Sequence, residues 1–303
     1  MQRSAVTVVE VGPRDGLQNE AVLLSVEAKA AYVDLLLQTG VTRIEVASFV
    51  HPRLVPQMAD AEALLTRLPR SEGVSYIGLV VNDRGLERAV GAGVDEVNIV
   101  LVASETFSRK NQGMGITDAV ASFERTAGAA RTAGLRVTAT IGASFGCPFE
   151  GEVSTEQVVQ IARRAVECGA QEIAVADTIG VAVPADVHRL VGALREITDL
   201  PLRCHFHNTR NTGYANAIAA VAAGVVALDA SSGGIGGCPF APSATGNIAT
   251  EDLSYLLHRS GIETGLSFPA LVDAANYVGE QLGKQVPALL GRAGNFPQSV
   301  VPA

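Results

Sequence analysis

Clustered positive charge is the feature this sequence most lacks. Charged residues make up 18% of the chain, the net charge is -8, and Lys and Arg form no long run. Phosphate backbones and anionic lipid surfaces are gripped by clustered cations, so nucleic acid and membranes are excluded as expected partners. Cysteine is scarce as well. Cys147, Cys168, Cys204 and Cys238 stand far apart without CxxC spacing, which argues against a disulfide framework or a structural zinc site and for reduced thiols. No apolar stretch approaches the roughly 20 residues that cross a bilayer. Met1 runs into a strand-like segment with no leader pattern, so a cytoplasmic location is the expectation. A dinucleotide fingerprint is also missing: the glycines of GGIGGCP at 233–239 are not spaced GxGxxG into a helix.

What is present is small and apolar. Hydrophobic residues form 48% of the 303, as a sheet covered by helices requires. That length suits one large α/β domain and is short for two. Strand-like runs at 6–11, 43–47, 75–81, 96–101, 136–141, 172–176, 202–207 and 226–230 alternate with helix-periodic stretches. Ser25 opens one such stretch, and Pro184 leads another through Val187, Leu190 and Leu194. Alternation implies parallel pairing through right-handed crossovers, and eight units close into an α/β fold of the (β/α)8 TIM barrel type. An open doubly wound sheet is the competing architecture. The barrel is expected over 1–265. Residues 266–303 read as a short helical C-terminal extension, lying across the barrel or a neighbouring subunit, and a homodimer is the expected assembly.

The chemistry concentrates where strands end. In LRCHFH at 202–207, alternate side chains share a face, so Leu202, Cys204 and Phe206 pack outward while Arg203, His205 and His207 point into the barrel. Two imidazoles about 7 Å apart at Cβ can converge on one ion at the C-terminal mouth, where this fold builds its sites. The plainer reading is a pair of hydrogen-bonded interior histidines, which would be costly to desolvate without a partner. Oxygen donors come from neighbouring sectors: Asp15 just past the first strand and Asn247 after the eighth. Two imidazoles, a carboxylate and an amide oxygen make a hard, incompletely filled shell suited to Mg or Mn. Alone, Asp15 reads as a turn or cap residue.

Three further charges, Glu10, Arg43 and Glu45, fall on the inner phase of the first two strands. For Glu10 and Arg43 the expectation is a buried Glu–Arg network stiffening the barrel; Glu45, nearest the mouth, either joins it or orients a catalytic group. The glycines at 233–237 would make a mobile flap carrying Cys238, whose thiol has a pKa suited to passing a proton to an enolate. By itself Cys238 reads as an inert thiol, since Cys147 occupies a similar Gly-Cys-Pro-Phe context.

VEVGPRDGLQNE at 9–20, taken with the HxH strand and the GGIGGCP loop, closely resembles the 3-hydroxy-3-methylglutaryl-CoA lyase family of barrel metallolyases. The likeness continues in order through IEVASF at 44–49, VPQM at 55–58, ASE at 103–105, GCPFEG at 146–151, DTIG at 177–180 and GNIATED at 246–252. It implies a carbon–carbon lyase acting on a coenzyme A thioester, with a divalent metal, Mg or Mn, as cofactor. It further implies that Asp15, His205, His207 and Asn247 bind the metal, that Arg14 stabilises the enolate oxygen, that Glu45 supports the site, and that Cys238 shuttles a proton.

The expected reaction cleaves 3-hydroxy-3-methylglutaryl-CoA to acetyl-CoA and acetoacetate, with His205 or Asp15 removing the hydroxyl proton. An imine route is disfavoured because Lys29, Lys110 and Lys284 all fall outside the expected strands. Arg109 and Lys110, after the fourth strand, are candidates to meet the phosphates of coenzyme A; exposed basic residues of this kind are also ordinary solvated surface. The chain departs from the family pattern at Ala21 in place of Lys, Ala174 in place of Ser, and Thr138 and Thr140 in place of Arg and Tyr. These positions fall near the expected pocket, so citramalyl-CoA or a longer branched hydroxyglutaryl-CoA is an alternative substrate. A barrel aldolase or synthase using a 2-oxo acid is a further reading.

Overall fold

A computed structural model describes residues 5–237 and 245–297. Eight parallel strands close into a barrel in sequence order: β1 (Thr7–Glu10), β2 (Arg43–Ser48), β3 (Ser75–Val80), β4 (Glu96–Val102), β5 (Arg136–Gly142), β6 (Glu172–Asp177), β7 (Leu202–Phe206) and β8 (Ala227–Ala230), with β8 pairing back onto β1. Every end lies within one residue of the sequence expectation. The one residue lost from the seventh strand is His207, which bridges antiparallel to Asn247 instead of continuing the ladder.

The connecting helices are α1 (Val26–Gln38), α2 (Ala61–Arg67), α3 (Asp83–Ala92), α4 (Glu105–Gln112), α5 (Ile116–Thr132), α6 (Thr155–Glu167), α7 (Pro184–Arg195), α8 (Gly213–Ala222) and α9 (Thr250–Arg259). Several starts are fixed by side-chain caps: Ser25, Asn82, Ser104 and Ser154 each accept a backbone N–H from the first turn. Pro184 sits in the first turn of α7, where its missing N–H costs nothing. Buried stripes such as Val158, Ile161, Ala162 and Ala165 on α6 pack against the outward faces of the strands, and this sheet–helix layer is the main apolar core. Beyond α9, α10 (Phe268–Leu282) lies against α1 and α9, and the short α11 (Leu290–Ala293) follows. The extension thus packs beside the outer helices of the barrel. Among the described residues, no helix is long and apolar enough to cross a membrane.

The barrel lumen is polar. Near its N-terminal end Arg43 donates to both Glu96 and Glu172 at 2.6 to 3.1 Å, and Arg136 reaches Glu172 at 2.8 Å. Arg203, 1% exposed, continues the column between Glu172 at 3.6 Å and Asp229 at 3.3 Å. Arg43 therefore behaves as its sequence context suggests, while Glu10 does not. Val9 and Val11 take the inward positions of the first strand, packed with Ile77 and Ala227, so strand alternation turns Glu10 outward. There it meets backbone and hydroxyl donors, with no arginine.

Candidate metal centre

After β1 the chain enters one wide helical turn, Gly12–Gly16, in which the N–H groups of Arg14, Asp15 and Gly16 all point at the carbonyl of Val11. The turn delivers Arg14 and Asp15 side by side to the C-terminal mouth. Close packing holds it there: a Cβ on Gly16 would stand 2.7 Å from Ile235 Cγ1 and from Ser231 Oγ. Gly236, at φ +92°, lies equally tight, since a Cβ would fall 2.6 Å from Asn247 Nδ2 and 3.0 Å from the Asp15 carbonyl. The base of the glycine loop is thus pressed onto the residues the sequence nominates.

Asp15, His205 and His207 offer ligand atoms that all lie within 4.8 Å of one another, and the two imidazole centroids are 5.2 Å apart. Asn247 donates from Nδ2 to Asp15 Oδ2 at 2.9 Å and to the Ile235 carbonyl at 3.1 Å. Those bonds leave Asn247 Oδ1 buried without a partner, as is Nδ1 of His207. Buried acceptors without donors are rare. Two of them beside a carboxylate and a second imidazole form a donor set that fits a divalent cation, with oxygen and nitrogen ligands and no thiolate.

Electrostatics reinforce the fit. Burial pushes Asp15 toward protonation, yet Arg14, His205 and His207 outweigh it and hold the carboxyl well below the ordinary range. Burial and the neighbouring His205 depress His207 to about 4, so a neutral imidazole with a lone pair to offer is its resting form. His205 is biased the other way: burial lowers it, but a contact from Nδ1 to Asp229 Oδ2 at 3.3 Å and the charge of Asp15 raise it overall. A proton on Nδ1 facing Asp229 leaves Nε2 as the lone-pair nitrogen, 3.9 Å from Asp15 Oδ2.

Arg14 is clamped. Its Nε and Nη2 donate to Glu45 Oε2 at 2.8 and 2.5 Å, and Nη1 donates to Asp15 at 2.6 Å. Glu45 accepts in turn from Asn98 Nδ2 at 2.9 Å, and Asn98 Oδ1 accepts from Thr140 Oγ1 at 2.6 Å. A fixed guanidinium beside the metal cluster can meet negative charge that develops on a substrate.

The fold thus brings together Arg14, Asp15, Glu45, His205, His207 and Asn247. It places Arg109 and Lys110 elsewhere on the rim, in the last turn of α4, where Arg109 pairs with Glu105 and Lys110 lies 5.2 Å over the ring of Phe149. Cys238 lies outside the described residues. Cys147 is buried and accepts the N–H of Phe149, with Ser104 Oγ at 2.9 Å, a structural arrangement. Sequence reasoning overlooked Asp229 and Asn98. Asp229 carried a signal: it is the lone charge in Ala227–Ala230, at inward parity next to the histidine strand.

A barrel with an Asp–His–His–Asn cluster and a clamped arginine at its mouth has the donor set of a metal-assisted enzyme. The chain belongs to the HMGL-like family of carbon–carbon lyases, which matches residues 5–278. It is 46% identical to the (R)-citramalyl-CoA lyase of Chloroflexus aurantiacus, covering 98% of this chain and 97% of that one. It is 44% identical to the hydroxymethylglutaryl-CoA lyase of Pseudomonas mevalonii, covering 92% and 93%. The fold is similar to that of an HMG-CoA lyase from Acinetobacter baumannii in complex with coenzyme A and 3-methylmalate, at a TM-score of 0.93, 37% identity and coverage of 98% and 97%.

Proposed function

We propose that this protein cleaves the coenzyme A thioester of a 3-hydroxy-3-methyl dicarboxylic acid, releasing acetyl-CoA and a keto acid, with a divalent cation, Mg or Mn, at Asp15, His205, His207 and Asn247. The observation that carries the reading is the grouping of ligand atoms of Asp15, His205 and His207 within 4.8 Å of one another, with His207 Nδ1 and Asn247 Oδ1 buried and unpartnered. When bound, the cation supplies Lewis-acid polarisation of the substrate hydroxyl and carboxylate oxygens.

The protein's own groups supply the rest. Asp15 takes the hydroxyl proton, while Asp229 fixes the tautomer and orientation of the His205 imidazole. The electron pair of that oxygen forms the new ketone as the adjacent carbon–carbon bond breaks. Its bonding pair becomes the enolate of acetyl-CoA, and Arg14, held by Glu45, meets the negative charge on the thioester oxygen. A proton delivered to the enolate carbon completes the balance. The resemblance of the GGIGGCP segment supports Cys238 as that donor, and Arg109 and Lys110 are offered as contacts for the coenzyme A phosphates.

3-Hydroxy-3-methylglutaryl-CoA is the first substrate to test, with acetoacetate as the second product. The 46% identity to a citramalyl-CoA lyase favours a second reading, citramalyl-CoA, one methylene shorter, which yields pyruvate. Purified protein incubated with Mg or Mn and each thioester discriminates the two by product. Acetyl-CoA release that persists after chelation contradicts the metal role; absence of acetyl-CoA from both thioesters contradicts the reaction.

A further inference from the structure

Two buried carboxyls at the mouth have no part in the chemistry above. Glu10 is 0% exposed and Glu251 is 1% exposed, and among the described residues neither is paired with a cation. Burial pushes Glu10 up to about 7 and Glu251 up to about 8. A buried carboxyl without a counter-charge is costly, and an apolar side chain would fill the space without that cost. Hydrogen bonding is what an apolar side chain could not supply.

Glu10 Oε1 accepts the N–H groups of Gly12 at 2.7 Å and of Ser232 at 2.9 Å, residues on strands' ends that the chain separates widely, and Oε2 accepts the hydroxyl of Thr250 at 2.7 Å. Gly12 opens the turn that carries Arg14 and Asp15. Ser232 begins the glycine loop, and Thr250 is the first residue of α9, just after Asn247. Glu251 takes the next loop amide, Gly233 N–H, at 3.1 and 3.0 Å from its two oxygens. On its other side Gly233 accepts Ala288 N–H at 3.1 Å, from the segment after α10. One carboxyl group thus touches each of the segments that present Asp15, Asn247 and the loop, without reaching any ligand atom itself.

We propose that Glu10 is a positioning residue for the metal centre: it fastens the Arg14–Asp15 turn, the base of the glycine loop and the start of α9 in one register, while Glu251 anchors the adjacent loop amide. The inference rests on the metal reading of the site. Asp15 and Asn247 come from opposite ends of the sequence, and their mutual distance is set by whatever joins their supporting segments. Loss of outer-shell support typically weakens metal affinity about 10- to 100-fold.

The test is calorimetric titration of Mn2+ into metal-free wild type, E10A, E10Q and T250V, at a temperature where circular dichroism shows each to be folded. E10A is expected to bind Mn2+ at least about tenfold more weakly, with kcat reduced more than KM is raised. E10Q should stay within about threefold of wild type, because its amide oxygen accepts both N–H groups and its NH2 can donate to Thr250 Oγ1. T250V, which loses one arm of the three, should fall between them. Wild-type affinity in E10A, or E10Q as weak as E10A, overturns the proposal; if E10A does not fold, wild-type affinity in T250V does so. A wild-type protein that takes up no Mn2+ overturns the metal reading together with this inference, whereas Mn2+ binding by wild type and E10A alike overturns only the inference.

Discussion

The two ends of the barrel lumen hold similar side chains in opposite states of satisfaction. At the N-terminal end Arg43, Glu96, Glu172 and Arg136 pair among themselves at 2.6 to 3.1 Å, and Arg43 and Arg203 hold Glu172 below its ordinary range despite its burial. At the mouth His207 Nδ1 and Asn247 Oδ1 stand buried and unpartnered in residues that gather around Asp15. Saturated charges of this sort stiffen a fold; convergent acceptors left open await a ligand. Arg203 and Asp229 join the two regions, since Asp229 contacts Arg203 on one side and His205 on the other.

The comparison can be broken by exchanging the roles, ranked here by expected effect at the site. Arg14→Met should lower kcat about 10²- to 10³-fold, the usual cost of removing a donor to a developing oxyanion, while Mn2+ affinity changes far less. Steady-state kinetics beside calorimetry separate the two, and an equal loss in both would make Arg14 a support for Asp15 only. Asp229→Asn should weaken Mn2+ binding about 10- to 100-fold through His205; unchanged affinity would detach Asp229 from the site.

Arg43→Met should leave Mn2+ affinity within about threefold of wild type. Stability should fall by about 3–5 kcal/mol, because buried Glu96 would lose its close cation and Glu172 one of its three. Chemical denaturation measures the second quantity. A metal-binding loss as large as that of Asp229→Asn would mean that the two ends of the lumen are one functional unit.

Glu251 sharpens the contrast by pH. Its carboxyl titrates near 4.5 in the unfolded chain and near 8 in the fold, so between those values the native state holds a proton the unfolded state has released. The associated stability is fully present below pH 4.5 and is lost as pH rises through 8. Metal-free E251Q cannot ionise there, so its stability relative to wild type should grow as pH rises from 5 to 8, by at most about 1.4 kcal/mol per pH unit. Parallel pH profiles for the two proteins would contradict the buried, protonated state.

Much of this was legible in the residues. Period-two alternation in LRCHFH placed both imidazoles inward, and the strand–helix rhythm gave the barrel with its ends nearly correct. Glu10 was misplaced because its charge was assigned to the inner phase with Arg43 and Glu45, whereas Val9 and Val11 take the inward positions of that strand. Its partners, Ser232 and Thr250, lie 222 and 240 positions away, and no local pattern announces contacts across such a span. The Thr140–Asn98–Glu45–Arg14 relay was hidden for the same reason: each member is an ordinary polar residue on its own strand, and only closure of the barrel joins them.

The central claim is that one ion is gripped by two imidazoles together with Asp15 and Asn247. Pulsed electron paramagnetic resonance of the Mn2+-loaded protein tests it directly. Nitrogen couplings from two imidazoles are predicted in wild type, with one of them lost in His207→Ala. A spectrum without nitrogen coupling, or one unchanged by that substitution, would contradict the account.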